Sequence, residues 1–373
     1  MRPNFPKGQN GQEIAVLGTG ANGSSVAADL TNAGLDVVLI DQWPAHVEAM
    51  RANGITIEMP GETVRTKVRA YHLCDVCTLN ETFDTVFLVT KAYDTRWPAT
   101  FIQPYLADDG MLIGMQNAMT VSDISEIVGS HRTLGCVVEL SSEIFTPGIV
   151  QRNTAPDKTW FGIGALDPVT EGRQEEIAEI LRHAGKVTIQ PNILAAKWMK
   201  LVVNTMCLGP FAAMGLKLSE RGDLQGMREL ALAAGREALE LGQHLGYSIE
   251  PIFGLTADDI KGSNQLLEKL LDKLNRDVGP RARDCVLQDH LKGRHSEVDL
   301  INGLVVEENR KRGKASPANA AIVEITRRIQ AGELKPEPGN MAIAKESWPS
   351  EPTTIRSDLV AEANIHGIKR LGP

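Results

Sequence analysis

The sequence predicts an α/β protein in which an N-terminal doubly wound parallel sheet is followed by an all-α C-terminal domain. Two observations predict it. Short apolar runs alternate with helical stretches through the first half of the chain, and strand patterns nearly vanish beyond residue 193. A chain of 373 residues is also longer than an average domain, which favours two domains with a cleft between them.

The alternation begins with a strand at residues 14–17, which ends at Gly18 and is followed by a helix over 24–33. A second strand over 36–40 stops at Asp41, and a helix over 45–53 follows. Further strands are predicted at 55–58, 68–71, 85–90 and 111–115. Later apolar runs are interpreted as antiparallel additions to the sheet, at 132–140, 149–152 and 159–163.

A charged helix over 173–184 and the run 186–190 are expected to complete the first domain, which places the boundary near Pro191. In the second domain, residues 223–246 keep the three- and four-residue apolar spacing of an amphipathic helix. From residue 333 the chain is rich in proline and polar residues, typical of a tail on the protein surface. The predicted units are a first domain that contains the sheet, a helical second domain and a tail packed on the surface, over residues 1–191, 192–332 and 333–373.

The composition and charge of the chain indicate which kinds of molecule it binds. The formal charge is −8 with both signs interspersed, which disfavours nucleic acid, and no apolar run is long enough to cross a membrane. The polar N-terminal segment lacks a secretory signal pattern, so the expected compartment is the cytoplasm and the expected partner a small molecule. Cys74 and Cys77 have no second ligand pair at zinc spacing, so the five cysteines are interpreted as reduced thiols and no metal site is predicted.

A glycine motif follows the first strand. Gly18, Gly20 and Gly23 match the pattern GxGxxG and stand between a strand and a helix, the context of a Rossmann-type dinucleotide site. The first glycine allows a tight turn, the second a close backbone approach to a pyrophosphate, and the third close packing of the helix. The free N–H groups of the helix start, around Ala21 and Asn22, would then bind the anion. An ordinary glycine-rich βα turn is the alternative, which this context disfavours.

The end of the second strand bears on the choice of cofactor. Asp41 stands where an acidic residue would bind the ribose hydroxyls of the adenosine, and the next residue is Gln42 rather than an arginine. Both features favour NAD. Lys91 could lie at the same end of the cofactor, so NADP stays open.

The second half contains a lysine and an amide on one helix face. Lys200 and Asn204 are four residues apart in the helical stretch 197–207, and Glu297 precedes another apolar helical stretch. Reduction of a ketone needs a proton for the developing alkoxide, which a positioned lysine can donate. Taken alone, Lys200 is more often a solvated helix residue than a catalyst.

Five motifs in the same order favour a catalytic role for Lys200, because through them the chain resembles the ketopantoate reductase family over residues 13–330. The matching segments are VLGTGANG, FLVTKAYDT with Lys91, MQNAMT with Asn117, KWMKLVVN with Lys200 and Asn204, and GRHSEVDLINGLVV with Glu297, followed by Pro317. The resemblance implies an active site in the cleft between the two domains and frequent dimerisation. It also implies that Lys200 is the general acid, that Asn204 and Glu297 contact substrate, and that Asn117 and Lys91 lie along the cofactor.

Three positions depart from the family pattern. Leu208 stands where the family has an amide, and Ala282 and Cys285 replace an asparagine and a serine of the substrate-binding loop. Each lost hydrogen bond lowers the binding free energy of a small hydroxylated oxo acid by about 0.5 to 1.5 kcal/mol. We therefore expect an NAD(P)-dependent enzyme that interconverts a secondary alcohol and a ketone, on a substrate other than ketopantoate. An authentic 2-dehydropantoate 2-reductase and a non-catalytic dinucleotide sensor are the alternatives.

Overall fold

The structure is a computed structural model that describes residues 13–80, 82–220, 224–260, 265–277 and 281–348. The strands are β1 Ile14–Leu17, β2 Val37–Asp41, β3 Ile55–Met59, β4 Glu62–Thr66, β5 Arg69–His72, β6 Phe83–Leu88, β7 Leu106–Gly114, β8 Thr133–Glu139, β9 Ser142–Thr146, β10 Ile149–Arg152, β11 Trp160–Ala165 and β12 Lys186–Ile189. The helices are α1 Ala21–Asn32, α2 Pro44–Asn53, α3 Arg96–Ile102, α4 Val121–Val128, α5 Gln174–Leu181, α6 Ile193–Cys207, α7 Gly209–Ala213, α8 Met227–His244, α9 Ala257–Ile260, α10 Leu266–Asp277, α11 Cys285–Leu291, α12 Val298–Lys311, α13 Pro317–Gln330 and α14 Asn340–Ser347.

The main sheet has eight strands in the order β12-β11-β8-β7-β6-β1-β2-β5. From β5 to β8 every neighbouring pair is parallel, and β1 lies between β2 and β6, with Ile14 opposite Val37 and Thr85. The residues of β1 and β2 are buried on both faces, as the continuous apolar runs predict for a covered parallel sheet. The predicted Rossmann-type sheet is confirmed, and its strand order changes direction beside β1, where such folds bind ligands.

The prediction of antiparallel additions is wrong for two of its three strands. Strand β8 is parallel to β7, with Leu112 opposite Thr133, because α4 lies between them and returns the chain as a crossover. Strand β10 is not an addition to the main sheet: it lies in a separate four-stranded sheet of order β4-β3-β10-β9, parallel to β3 and antiparallel to β9. Strand β11 is antiparallel to β8, as expected. This second sheet packs against α1, and its strands β4 and β9 were not predicted.

The residues described after β12 form helices arranged around α6. Thirteen of the fifteen residues of α6 are buried, and α6 packs most extensively against α8. Gly242 of α8 makes this contact possible, because a Cβ there would overlap the Trp198 indole, which donates a hydrogen bond to the Ala238 carbonyl at 3.1 Å. Helix α8 matches the predicted helix over 223–246 except at its ends, and Asp223 lies outside the described residues.

The first part of the predicted tail is ordered structure that packs on the helices. Helix α14 contacts α13 and buries Met341 and Ala344 in the same apolar core as α6. Residues 349–373 of the predicted tail lie outside the described residues, and the division of the chain into domains stays a prediction. No helix in the described ranges is long and apolar enough to cross a membrane.

Candidate active site

A cavity of about 480 Å³ lies between the carboxyl ends of the central strands and the helices α6, α11 and α12. It brings together nearly all the predicted site residues, from both halves of the chain. Those that line it are Gly18, Gly20, Ala21, Asn22, Asp41, Lys91, Asn117, Lys200, Asn204, Leu208, Ala282, Cys285 and Glu297. Gly23 faces β1 instead, where a Cβ would overlap the Gly18 carbonyl.

The three glycines of the loop have different reasons to be glycine. Gly18 has a φ of +94°, and a Cβ there would lie 2.7 Å from the backbone nitrogen of Thr90. Gly20 has a φ of −60°, and a Cβ there would meet nothing within 4 Å. Packing within the protein therefore explains why residues 18 and 23 are glycine. The open space at Gly20 would instead allow a ligand to lie close to the protein backbone. The loop has the form that a dinucleotide pyrophosphate requires.

Asp41 is the last residue of β2 and is held in place at the cavity wall. Its carboxylate accepts hydrogen bonds from the Thr19 hydroxyl at 3.2 Å and from the Trp43 backbone at 2.8 Å. Ionised carboxylates have about four acceptor sites, so capacity remains for the two hydroxyls of a ribose.

His46 packs against the glycine loop and contacts its backbone at Thr19. It is fully buried, its Nδ1 accepts from the Gly148 backbone at 2.9 Å, and its Nε2 lies 2.9 Å from the Thr19 carbonyl. Burial lowers the pKa of His46, although the charge of Asp41 opposes the shift. We assign a neutral ring that donates from Nε2 to the loop, a role that no sequence pattern indicated.

Lys200 lies in the opposite wall, on α6. Its ammonium donates to the Val138 carbonyl at 3.0 Å and lies 4.8 Å from the centre of the Phe253 ring. Burial lowers the pKa of Lys200, and the nearby carboxylate of Glu139 opposes this shift. An amine with a lowered pKa is suited to give and accept a proton near neutral pH.

Asn204, Asn117 and Glu297 form a chain of hydrogen bonds along the cavity. The amide of Asn204 donates to the Asn117 side chain at 3.1 Å, and the amide of Asn117 donates to Glu297 at 3.0 Å. The second oxygen of Glu297 accepts from the Ala92 backbone at 2.8 Å. Glu297 is thus buried but well supplied with donors, which fixes both asparagines.

Lys91 connects the sheet to the helical part of the chain. Its ammonium lies 2.5 Å from Asp289 and 3.9 Å from Glu297. Burial opposes the charge on Lys91, but these carboxylates outweigh burial and raise the pKa of the lysine. Lys91 was expected along the cofactor; it lines the cavity and pairs with Asp289, a partner that the sequence analysis missed.

A second buried lysine was also missed. Lys197 lies one helical turn before Lys200, lines the cavity, and donates to the Gln116 carbonyl at 2.6 Å. Burial lowers the pKa of Lys197 to about 8. The three-residue spacing from Lys200 places both amines on one face of α6 and could have indicated it.

The three departures from the family pattern all line the cavity. Leu208 and Ala282 add apolar surface, beside other apolar residues from the helical part: Val203, Cys207, Leu218 and Leu274. Cys285 keeps the position of a polar contact, with its sulfur 3.9 Å from a Glu297 oxygen and 3.8 Å from the Asn117 amide. Burial raises the pKa of the Cys285 thiol, which therefore stays protonated.

Comparisons with known proteins identify the family. The family model described as ketopantoate reductase PanE/ApbA matches residues 14–165, and its C-terminal counterpart matches residues 192–330. Among curated proteins, a 2-dehydropantoate 2-reductase of Mesorhizobium japonicum is 27% identical over 341 residues, covering 85% of this chain and 97% of the relative. One from Archaeoglobus fulgidus is 24% identical, covering 86% and 99%.

Solved structures share the fold. A PanE/ApbA family ketopantoate reductase from Ralstonia eutropha superposes with a TM-score of 0.71 at 23% identity, covering 86% of this chain and 99% of the other. A D-mandelate dehydrogenase in complex with NADH and anilino(oxo)acetate superposes with a TM-score of 0.74 at 20% identity, with the same coverage.

The class follows from the fold, the glycine loop and these matches together: the chain is an NAD(P)-dependent oxidoreductase that acts on CH–OH groups. More particularly, it belongs to the ketopantoate reductase family.

Proposed function

We propose that the protein interconverts a secondary alcohol and a ketone with Lys200 as general acid and base, on a substrate other than ketopantoate. One observation carries the proposal. The Lys200 amine lies in the wall of the same cavity as the open backbone of Gly20, and no carboxylate of the described chain lies within 4 Å of it. The amine is therefore available to a bound carbonyl.

When bound, the nicotinamide gives a hydride to the carbonyl carbon or takes one from the carbinol carbon. Lys200 donates the proton to the oxygen during reduction and accepts it during oxidation. Its positive charge also stabilises the developing alkoxide. Asn204, one turn further along α6, is held by Asn117 with its amide fixed in direction, so it positions the substrate beside Lys200.

The substrate class follows from the apolar residues of the helical part that line the cavity. The residues Leu208, Ala282 and Leu274 cannot hydrogen-bond a hydroxylated side chain through their side chains, and they line the same cavity as Lys200. A bulkier and less polar hydroxy or oxo acid fits better there than ketopantoate. One structural neighbour, the D-mandelate dehydrogenase, is in complex with anilino(oxo)acetate, in which an aromatic group is joined to an oxo acid. That ligand supports the proposal of a bulkier and less polar substrate.

For the cofactor we propose NAD over NADP, because the carboxylate of Asp41 would bind ribose hydroxyls and repel a 2′-phosphate. We also propose a homodimer, as the family resemblance implies, located in the cytoplasm where nicotinamide cofactors are plentiful. Light scattering of the purified protein and cell fractionation check these two statements.

The test is a panel of hydroxy and oxo acids with increasingly large apolar substituents, followed by NADH absorbance in both directions and with both cofactors. We expect the highest kcat/KM with a bulky apolar substituent. Reduction of ketopantoate at the highest rate of the panel would instead identify an authentic 2-dehydropantoate 2-reductase, as the curated relatives are named. Cofactor binding without turnover of any panel member would favour a sensor.

A further inference from the structure

Two cations follow helix α11 and line the cavity beside aromatic rings of the other part of the chain. The Lys292 amine lies 4.5 Å from the centre of the Phe145 ring, and the Arg294 guanidinium lies 5.7 Å from the centre of the Trp43 ring. Both residues line the same cavity as the glycine loop. They come from the helical part of the chain, whereas both rings belong to the part that contains the sheets.

Neither cation is neutralised within the part of the chain that the structure describes, where no carboxylate lies within 4 Å of either. A neighbour shows the contrast: Arg283 also lies over the Phe145 ring, at 4.7 Å, but it pairs with Glu143 at 2.7 Å. Asp289 is the other carboxylate close to Lys292, and it is engaged by Lys91.

A chain of hydrogen bonds places Lys292 close to the glycine loop. The Ser142 hydroxyl donates to the Asn22 side chain of the loop at 2.6 Å, and the Gln288 amide donates to the Ser142 carbonyl at 3.1 Å. The Lys292 amine donates to the side-chain oxygen of the same Gln288 amide at 3.5 Å. Gln288 and Ser142 therefore connect the Lys292 amine to Asn22, at the helix start where the pyrophosphate would bind.

Arg294 occupies the adenosine side of the same region, because Trp43 comes two residues after Asp41. The two cations are also close enough to repel one another. The pKa of Lys292 is lowered to about 8, first by burial and then by the charges of Arg294 and Lys91, while Asp289 and Glu143 oppose this shift. An anion between them would remove an unfavourable interaction that the free protein retains.

We propose that Lys292 and Arg294 bind the pyrophosphate of the dinucleotide from the side opposite the glycine loop. The phosphates would then lie between the N-terminus of α1 and the turn after α11, so that cofactor binding joins the two parts of the chain. This inference rests on the dinucleotide lying at the glycine loop, as in the proposed function. It adds a contribution to cofactor affinity from the helical part of the chain.

The test measures binding by calorimetry, with ADP as a probe that carries the pyrophosphate and adenosine as a probe that lacks it. The variants are Lys292→Gln, Arg294→Gln and the charge-conserving Lys292→Arg. The matched control is Lys186→Gln, which removes one exposed positive charge on β12, outside the cavity lining. Thermal melting checks that each variant folds.

We expect each glutamine variant to weaken ADP binding about tenfold or more, since bonds to charged groups are the strong ones. Adenosine binding should change less than twofold, and Lys292→Arg and Lys186→Gln should bind ADP like the parent. ADP affinities of both glutamine variants within twofold of the parent would overturn the inference and leave the proposed function standing. If the parent protein itself binds neither ADP nor NADH, the dinucleotide site and the proposed function fail together.

Discussion

The two ends of the cavity are assembled in different ways. The end that contains Gly18, Gly20 and Asp41 comes from one strand–helix–strand unit, and backbone geometry specifies it. The end that contains Lys200 draws on distant segments: Lys91 and Asp289, which pair there, are 198 residues apart. We expect the first end to be sensitive to small changes in backbone conformation and the second to changes in charge.

The largest expected effect concerns the glycine loop. Gly18→Ala places a Cβ against the Thr90 backbone at a φ of +94°, which combines conformational strain with overpacking. We expect a loss of roughly 2 to 5 kcal/mol in the free energy of unfolding, measured by denaturant titration.

The matched control is Gly20→Val, which meets no protein atom within 4 Å of its Cβ. It should lose no more than about 1 kcal/mol in the free energy of unfolding, because valine is a poorer N-cap than glycine but adds no packing conflict. NADH binding by this variant should nevertheless weaken at least tenfold. Normal NADH binding by Gly20→Val would show that the open space at Gly20 is not used by the cofactor.

A smaller effect is expected for cofactor choice. Asp41→Ala removes the carboxylate that would accept from the ribose and repel a 2′-phosphate, so the ratio of NADP to NAD affinity should rise. A tenfold change corresponds to about 1.4 kcal/mol, a reasonable minimum for bonds to a charged acceptor. Titration of protein fluorescence with each cofactor measures the ratio. An unchanged ratio would mean that Asp41 acts through Thr19 and Trp43 and has no contact with the cofactor.

The smallest expected effect is a shift in pH dependence. Burial lowers the pKa of Lys200 and the Glu139 carboxylate partly restores it. Reduction needs the ammonium, so its rate is retained below the pKa of Lys200 and lost as the pH rises through it. Oxidation needs the free amine and shows the opposite trend.

Glu139→Gln removes the restoring charge and should move both profiles to lower pH, by about half a unit to one unit. Asp258→Asn, an exposed carboxylate outside the cavity lining, is the control and should leave them in place. A shift to higher pH in Glu139→Gln would mean that another group controls the profile.

The difference between the two ends also explains what the sequence could predict. The glycine motif, Asp41 and the four-residue spacing of Lys200 and Asn204 are local patterns, and all of these residues except Gly23 line one cavity. Asp289 and His46 carry no such pattern, because their partners lie far away in sequence. Tertiary packing alone brings them to the site.

The prediction of strand direction was wrong for the same reason. An apolar run over 132–140 indicates a strand, but its direction depends on how α4 returns the chain from β7. Lys197 is different, since its spacing from Lys200 is a local signal. Only burial shows that it is not a solvated lysine.

The central claim is that the Lys200 amine exchanges the proton of the reaction, and single-turnover kinetics of Lys200→Met with the best substrate of the panel tests it most directly. We expect NADH to bind as in the parent protein, while hydride transfer slows by about 10²- to 10⁴-fold, the usual contribution of a general acid. Transfer within tenfold of the parent rate at unchanged NADH affinity would contradict the claim.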